Sequence, residues 1–384
     1  MLRRFLAFTL VAALALGGFW YATRRPAELP ARPPLTNGSA DITGFARALA
    51  PIDFTFPQDH GPHFDFQTEW WYYTGNVQGE NGARFGYQLT FFRRGLTPGA
   101  PADSGGLATN QIYFAHFAIT DVAGDQHRGV ERFSRGAGGL AGASGASFRA
   151  WLEDWRVEAL NADGSAVRLF ARDGDMALDL ELRAVKPIVA HGERGLNAKS
   201  DGAGNASYYL SFTRMATEGT VTARGQTFKV SGESWFDHEW STGVLGSHIV
   251  GWDWYSLQLS DGREVMVYIL RRDDGAIESV SGGTLIEPDG RAQSFRADAV
   301  QVRPIGAWTS PVTNAVYPSG WTISLPSAQL ELTIEPLLKA QEMQLNFVYW
   351  EGAVRVAGTS NGAAITGNGY VELTGYASSL QGVF

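Results

Sequence analysis

Short runs of alternating apolar and polar residues cover the chain from residue 51 onward, and helical periodicity is almost absent there. Alternation with a period of two is typical of β-strands that bury one face. Asn-Gly and Asp-Gly pairs, which favour hairpin turns, separate many of these runs. They stand at 81–82, 163–164, 173–174, 261–262, 274–275 and 289–290. The pattern predicts an all-β fold, either a sandwich or a barrel.

An internal repeat underlies this pattern. The aromatic stretch 70–73 and the strand-like run after it match 252–255 and the run after that. Further on, 218–237 matches 351–372 in the same order. Two ordered matches at nearly equal spacing indicate a duplicated unit. A chain of 384 residues also has the length of about two domains.

We expect the copies to be two tandem β-barrel domains, 51–245 and 246–384. The 46 glycines, 12 tryptophans and only 18% charged residues suit many strands, tight turns and a wide apolar interior. The net charge is −8 and basic residues form no run longer than a pair, which excludes nucleic acid as a partner. The chain has no cysteine, so it has neither disulfides nor a lipid-modified cysteine anchor.

The N-terminal segment has the pattern of an export signal. Arg3 and Arg4 precede an uncharged, mostly apolar stretch, 5–22. A signal peptide over 1–25 and a retained membrane anchor both fit this pattern. The Pro- and Ala-rich residues 26–50 predict a flexible spacer. We therefore expect a periplasmic or secreted protein, with tethering to the inner membrane by 5–22 as the alternative.

Several side chains are candidates for contact with a ligand. On a strand, Glu69, Trp71 and Tyr73 share one face, which we expect to line a barrel interior. Trp235 belongs to another aromatic run, and we predict that it contacts the ligand as well. His116 lies on an apolar strand face, where it serves either as a ligand contact or as a hydrogen-bonded core residue.

The region before the first strand raises the question of a metal. His60 and His63 flank a Gly-Pro turn, and Glu69 or the distant His238 could complete a set of ligands. The spacing matches no defined zinc signature. We favour a hydrogen-bonded turn that closes one barrel end, and we predict no metal.

The stretch 235–240 reads Trp-Phe-Asp-His-Glu-Trp. In the second copy, Glu372 corresponds to Asp237, but Leu373 stands in place of His238. The fold alone therefore does not require the Asp-His-Glu sequence. A carboxyl beside a histidine in apolar surroundings suits an acid–base pair, because burial raises the pKa of the acid. A structural clamp at the domain junction is the alternative.

A third cluster opens the second copy. Asp253 stands between Trp252 and Trp254, and Tyr255 follows. A carboxyl held among aromatic rings keeps its proton more readily than an exposed one. We predict Trp252 and Trp254 as ligand contacts.

Four stretches together resemble a known family. They are Phe-Pro-Gln-Asp-His-Gly-Pro-His at 56–63, Thr-Glu-Trp-Trp-Tyr-Tyr-Thr-Gly-Asn at 68–76, Ser-Trp-Phe-Asp-His-Glu-Trp at 234–240 and Gly-Tyr-Val-Glu-Leu-Thr-Gly-Tyr at 369–376. The chain resembles the AttH-like family, also called predicted secreted hydrolases, which is related to carotenoid 1,2-hydratase (hydroxyneurosporene synthase). The likeness covers residues 50–380. It implies two lipocalin-like barrels, an exported location and an association with ABC-type export systems.

The resemblance also implies a site. Carotenoid hydratases add water to an isoprenoid double bond without a cofactor, using an Asp, a His, a Trp and a Tyr near the domain junction. His238 and Trp240 match that pattern directly. Asp253 and Tyr255 are the nearest matches for the second pair, and Trp252 stands where the hydratases carry a tyrosine.

We therefore expect an exported protein that binds a hydrophobic, isoprenoid or lipid ligand and hydrates it at the domain junction. Asp237 or Asp253 would supply the proton, and His238 would accept one from water. Trp240 and the neighbouring tryptophans would stabilise the cation. The alternatives are a non-catalytic lipid-binding or accessory protein of an ABC-type export system, and a metal-dependent hydrolase. We expect a monomer.

Overall fold

The computed structural model describes residues 42–101, 109–243 and 245–380. Their regular structure consists of β-strands and three short 3-10 turns, Gln58–His60, Ala297–Ala299 and Pro326–Ala328. The predicted all-β class is therefore confirmed. Within this part of the chain no helix is long and apolar enough to cross a membrane. The predicted signal or anchor over 1–25 lies outside the described residues.

The first copy forms a thirteen-stranded sheet. Its strands are β1 (Thr68–Gly79), β2 (Arg84–Gly95), β3 (Gln111–Asp121), β4 (Gln126–Arg135), β5 (Ala141–Ser144), β6 (Arg149–Leu152), β7 (Trp155–Ala159), β8 (Ala166–Asp173), β9 (Met176–Ala184), β10 (Val189–Ala190), β11 (Leu196–Ala198), β12 (Ala206–Ala223) and β13 (Gln226–Ser241). The order is β4-β3-β2-β1-β13-β12-β9-β8-β7-β6-β5, and β10 and β11 also pair with β12. The two edge strands follow each other in sequence and β4 contacts β6, so the sheet forms a nearly closed barrel.

The second copy repeats this arrangement with ten strands. The strands from Ile249 onward are β14 (Ile249–Leu259), β15 (Glu264–Arg272), β16 (Gly282–Ile286), β17 (Ala292–Arg296), β18 (Gln301–Pro304), β19 (Ala307–Thr309), β20 (Val316–Pro318), β21 (Trp321–Leu325), β22 (Leu330–Pro336), β23 (Glu342–Gln344), β24 (Val348–Ser360) and β25 (Ala363–Leu373). The order is β17-β16-β15-β14-β25-β24-β22-β21-β18; β23 pairs with β24, and β19 with β20 forms a separate pair.

Strand pairing confirms the internal duplication. The first strand of each copy pairs with the second and with the last strand, so β14 lies between β15 and β25 as β1 lies between β2 and β13. The registers agree as well. Tyr72 stands opposite Asp237 in the first barrel, and Trp254 stands opposite Glu372 in the second. The fold is two tandem β-barrels, and the chain passes from one to the other between Ser241 and Ile249.

The predicted turns have the backbone geometry that their glycines allow. At each predicted turn pair the glycine has a positive φ, a region that other residues rarely adopt. The residues are Gly82, Gly164, Gly174, Gly262, Gly275 and Gly290. Local sequence therefore determines where these strands end.

Three apolar clusters explain the burial pattern. Trp71 and Tyr73 belong to the core of the first barrel, and Tyr255 belongs to that of the second. The neighbouring residues Tyr72 and Trp254 point the other way and meet between the barrels, in a third cluster. Successive strand residues face opposite sides, so β1 and β14 are buried on both faces and the two barrels pack side by side.

A buried ion triad also joins the barrels. Glu264 of β15 is fully buried and accepts hydrogen bonds from Lys186 Nζ at 2.7 Å and from Arg214 Nε at 2.6 Å. Both cations belong to the first copy. A buried carboxylate without these partners would be costly, so the triad fixes the relative position of the barrels.

The stretch 42–50, predicted as part of a flexible spacer, packs against the first barrel. Phe45 and Ala48 are buried there. Arg47 donates a hydrogen bond of 2.5 Å to Oδ1 of Asn205. These contacts give this stretch a fixed course, which its composition did not indicate.

Candidate functional site

A cavity with mainly aromatic walls lies between the two barrels. Both copies contribute to it, because most of its lining residues come from β1, β2, β12 and β13 of the first barrel and from β14, β15, β24 and β25 of the second. The lining residues are Thr68, Trp70, Tyr72, Phe92, Lys199, Tyr209, Asp237, Glu239, Ser241, Gly243, Leu245, Trp252, Trp254, Tyr268, Leu270, Phe347, Tyr349 and Glu372. Such a concave, largely apolar space with a few polar groups is typical of a small-molecule site.

Asp237 is the most densely hydrogen-bonded acid of this cavity. It is 4% exposed. Oδ2 accepts a hydrogen bond from the Tyr209 hydroxyl at 2.9 Å, and Oδ1 accepts from Trp235 Nε1 at 2.6 Å and from the Ser211 hydroxyl. Burial raises the pKa of Asp237 to about 7, although these three donors lower it. The group can therefore hold or release a proton near neutral pH.

A chain of hydrogen bonds continues behind Asp237. The hydroxyl of Ser211 lies 2.8 Å from Nε2 of His191, and Nδ1 of that ring lies 2.8 Å from the Thr284 hydroxyl of the second barrel. Burial lowers the pKa of His191 to about 3, so the ring is neutral. It connects Asp237 to the opposite barrel without adding charge.

The second acid of the cavity, Glu239, is ion-paired. Its Oε1 lies 2.6 Å from Lys199 Nζ. The Lys199 ammonium also lies over the rings of Tyr209 and Tyr268, at 5.0 and 5.3 Å from their centroids. This end of the cavity thus contains a fixed positive group surrounded by aromatic faces.

The third acid comes from the second barrel. Glu372 accepts a hydrogen bond from Trp252 Nε1 and lies directly opposite Glu351 on the neighbouring strand. The Tyr72 hydroxyl donates to Oε1 of Glu351 at 2.6 Å. Burial raises the pKa of Glu372 to about 7 and that of Glu351 well above its ordinary range.

Only some of the predicted site residues meet at this cavity. Asp237, Trp252 and Trp254 line it. Trp235 lies behind the wall, where its indole holds Asp237. The structure does not bring Asp237 and His238 together, because neighbouring strand residues point to opposite faces. The His238 side chain points into the first barrel.

His238 and Trp240 belong to a charged network at the end of that barrel. Oε1 of Glu69 lies 2.9 Å from His238 Nε2 and 2.8 Å from His63 Nδ1, and Oε2 accepts from Arg93 Nε at 2.8 Å. Trp240 stacks on His63 with 3.7 Å between ring centroids. Glu69, Arg93, His238 and Trp240 are fully buried and His63 is partly buried. None of them lines the cavity.

The ionisation of this network follows from its partners. Burial alone would raise the pKa of Glu69, but the charges of Arg93 and His63 lower it well below its ordinary range. Burial alone would lower the pKa of His63, but the carboxylates of Glu69 and Asp59 raise it. The favoured state is an imidazolium held between two carboxylates.

A metal ion would have to disrupt this arrangement. His63, Glu69 and His238 lie close enough to act as a set of ligands. However, Glu69 is already paired with Arg93, and both ring nitrogens of His63 face carboxylates. We interpret the cluster as an ion-pair network that closes the barrel end, the structural alternative favoured by the sequence.

The remaining predicted ligand contacts of β1 are core residues. Trp71 is fully buried, and its indole donates to the carbonyl of His60 at 2.8 Å. Tyr73 stacks on Phe236 inside the first barrel. Both lie on the Glu69 face of the strand, so they face away from the cavity. Glu69, Trp71 and Tyr73 therefore do not line the space between the barrels.

Asp253 and Tyr255 also lie away from the cavity. Asp253 accepts a hydrogen bond from Arg271 Nε at 2.9 Å and one from the Tyr376 hydroxyl at 3.1 Å. Burial raises the pKa of Asp253, and the charge of Arg271 opposes the rise. Tyr255 packs edge-on against Trp321 in the core. The structure thus divides the predicted catalytic set among three places.

His116 is a hydrogen-bonded residue behind the cavity wall. Its Nδ1 lies 2.8 Å from the hydroxyl of Tyr349, and its Nε2 lies 3.1 Å from Glu131. Tyr349 itself lines the cavity. The side chain is fully buried, so it serves as a support for the wall, which was one of the two interpretations open from sequence.

Sequence reasoning missed Tyr209, Lys199 and Glu372. Tyr209 and Lys199 belong to stretches without a repeat signal. The repeat did give a signal for Glu372, because Glu372 is the counterpart of Asp237 in the second copy. If the barrels pack through equivalent faces, a carboxyl from each copy reaches the same space.

The sequence Gly-Thr-Ser-Asn-Gly at 358–362 has the spacing of a serine-hydrolase nucleophile elbow. Here the serine ends β24 and the chain turns directly into β25. Asn361 and Gly362 both have positive φ, as a two-residue hairpin turn requires. No helix follows, so this stretch is a hairpin and not a nucleophile elbow.

The fold and the cavity define a protein of two lipocalin-like barrels with a ligand-sized space between them. The AttH-like family model matches residues 47–376, and the chain belongs to that family. A Nitrosomonas europaea protein named as an AttH is 32% identical, with a TM-score of 0.75 over 86% of this chain and 100% of its own.

More distant solved structures share the fold. Kievitone hydratase from Nectria haematococca is 13% identical, with a TM-score of 0.66 over 87% of this chain and 97% of its own. CghA, solved with Sch210972, is also 13% identical, with a TM-score of 0.50 over 88% of this chain and 97% of its own. Comparison with curated protein sequences gave no match.

Proposed function

We propose that the protein binds an apolar, isoprenoid or lipid-like molecule between its barrels and catalyses addition of water to a carbon–carbon double bond, or the reverse reaction, without a cofactor. The observation that carries the proposal is the placement of Asp237. It is a buried carboxyl in an aromatic wall, held by Tyr209, Trp235 and Ser211.

Hydration of an alkene requires a protonated acid of this kind. An unactivated alkene accepts a proton only from an undissociated acid, and burial keeps Asp237 protonated up to a pH of about 7. The carbocation that forms would lie against the faces of Trp252 and Trp254. Cation–π attraction in a desolvated site is worth about 2 kcal/mol or more. Water then adds to the cation and loses a proton.

The fold neighbours support the reaction class. One of them is named a hydratase, so this double-barrel architecture can hold such a site. The low identity between the two chains leaves the substrate to be identified from the cavity itself. Its walls are largely aromatic, with one ammonium group, Lys199, at the edge. These features fit a long apolar molecule that carries a polar or acidic end.

The proposed setting is outside the cytoplasm. The pattern of 1–25 supports export, and the family resemblance supports a role beside an ABC-type export system. Fractionation of cells that carry an epitope at the C-terminus would test the location. Recovery in the cytoplasm would contradict it.

Mass spectrometry of apolar molecules that co-purify with the protein tests binding. Incubation with squalene, geranylgeraniol and lycopene in ¹⁸O-labelled water tests catalysis. We expect an apolar ligand in the wild-type protein, and labelled alcohol that is lost in Asp237→Asn. A bound apolar ligand without labelled product would support the non-catalytic alternative, an accessory lipid-binding protein.

A further inference from the structure

Besides Asp237 and Glu239, a third acid lines the cavity. Glu372 reaches it from the second barrel. Asp237 and Glu372 occupy equivalent positions of the repeat, since each stands opposite a large aromatic residue of the first strand of its barrel, Tyr72 and Trp254 respectively. The duplication therefore places one carboxyl from each copy against the same ligand space.

Glu351 determines the state of Glu372. The two carboxyls stand opposite each other on β24 and β25, within hydrogen-bonding reach, and a hydrogen bond between them requires that one of them carries a proton. Burial and the negative charge of Glu372 favour the proton on Glu351. Its other oxygen accepts from the Tyr72 hydroxyl at 2.6 Å. Glu372 is thus left as the carboxylate of the pair, with Trp252 Nε1 as a further donor.

Around Glu372 the charged groups are few. Glu239 is the other acid near it, and its charge raises the pKa of Glu372. Glu239 is itself paired with Lys199 at 2.6 Å. A carboxylate in an aromatic cavity, with few positive groups near it to stabilise its negative charge, is a better base than a solvated carboxylate.

We infer that Glu372 is the proton acceptor of the reaction and that Glu351 is its positioning residue. The inference rests on the proposed function. Asp237 gives its proton to one alkene carbon, and the C–H bond forms as the O–H bond breaks. A water oxygen bonds to the cationic carbon and passes one proton to Glu372. The net change is addition of one water, and transfer of one proton from Glu372 to Asp237 restores the site.

Two isotopes separate the two carboxyls. In D₂O, Asp237 adds a deuteron to the alkene and then takes a proton back from the cation. This exchange places deuterium in the substrate and needs no base at Glu372. Addition of labelled oxygen needs both groups. We expect Glu372→Gln to lose labelled oxygen incorporation by at least about 100-fold and to keep deuterium exchange. Asp237→Asn should lose both.

The positioning role is tested by a conservative pair of variants. Glu351→Gln stays neutral, donates to Glu372 and accepts from Tyr72, so we expect it to keep most oxygen incorporation. Glu351→Leu removes the donor that lowers the pKa of Glu372. We expect its activity to need a higher pH, because Glu372 must ionise to act as a base.

The outcomes are distinct. If the wild type incorporates oxygen and Glu372→Gln does so equally well, the inference fails and the proposed function stands. If the wild type shows neither oxygen incorporation nor deuterium exchange with the three isoprenoids, the proposed function fails and the inference with it. Glu335→Gln, a change at an exposed ion pair with Arg355, serves as the control.

Discussion

The hydroxyl of Tyr209 donates to Oδ2 of Asp237 at 2.9 Å and accepts from Trp254 Nε1 at 3.0 Å. This one hydroxyl links an acid of the first barrel to a strand of the second. It makes the ionisation of Asp237 depend on how the barrels are packed. The protonation state of the carboxyl is thus a property of the assembled pair.

Removal of that hydroxyl should raise the pKa of Asp237, because Tyr209 donates to the ionised form. We expect Tyr209→Phe to shift the Asp237 titration above its position near 7 in the wild type. A ¹³C-carboxyl NMR titration of aspartate-labelled protein, assigned with Asp237→Asn, measures this. Tyr208→Phe, on the opposite strand face, is the matched control, and an equal shift in both variants would contradict the assignment.

The free energy of unfolding should depend on pH through the titration of Asp237. Its pKa is about 7 when folded against an ordinary value of 3.8, so between these values the folded state binds the additional proton. Stability contributed by the protonated acid is therefore lost as pH rises from about 4 to about 7. Asn cannot titrate, so Asp237→Asn should gain stability relative to the wild type over that range. Each unit of difference between the folded and the unfolded pKa corresponds to about 1.4 kcal/mol of unfolding free energy.

Urea unfolding of Asp237→Asn and wild type, at about pH 5 and about pH 8, measures this difference. The exposed variant Asp175→Asn controls for loss of a carboxylate. If the free-energy difference between Asp237→Asn and wild type stays constant with pH, the buried carboxyl is not protonated at neutral pH.

The network around Glu69 should govern stability and leave the cavity intact. Glu69→Gln leaves the guanidinium of Arg93 buried without a countercharge, and breaking such a pair costs about 3–5 kcal/mol. His238→Ala should also lower the melting temperature, because it removes a partner of Glu69. Since neither residue lines the cavity, both variants should bind the apolar dye Nile red as the wild type does. Loss of labelled product in a folded His238→Ala protein would place its imidazole in the reaction.

Trp254 should contribute strongly to ligand affinity. It lines the cavity and holds Tyr209, and truncation of a central aromatic anchor costs about 2 kcal/mol or more. Trp254→Leu should therefore weaken Nile red binding by about 30-fold, measured by fluorescence titration. Trp151→Leu, in the first barrel and away from the cavity, should leave the affinity unchanged, and equal effects would argue against binding between the barrels.

Close backbone approach at Gly86 should be essential to barrel packing. A Cβ there would overlap that of Ala353 in the second barrel, and both residues belong to strands that are paired on both sides. Overpacking of this kind costs about 1–3 kcal/mol. Gly86→Ala should lower the free energy of unfolding by that amount, whereas Gly320→Ala, where the added atom meets only ordinary contacts, should not. Equal stability of the two variants would show that the barrels are not held in this register.

Much of the fold could be predicted from sequence, because strands and hairpins depend on local patterns. The alternating runs and the glycine turns, such as Gly82 and Gly262, act over a few residues. The repeat also needs only the order of residues. Assignment to a family followed from four short, uninterrupted stretches of sequence that resemble the family's motifs.

The site could be predicted only in part, because alternation places neighbours on opposite faces. Asp237 and His238 are adjacent in sequence, yet one lines the cavity and the other closes the first barrel. Which face of a doubly buried strand meets a ligand depends on where the second barrel packs, and no local pattern records that.

The sequence by itself determined the strands, the turns, the duplication and the family of this protein. The tertiary structure decided which acids share a space. Asp237 and Glu372 come from different copies and are brought to one cavity by barrel packing. Their protonation follows from burial, which arises only when distant strands exclude water from both.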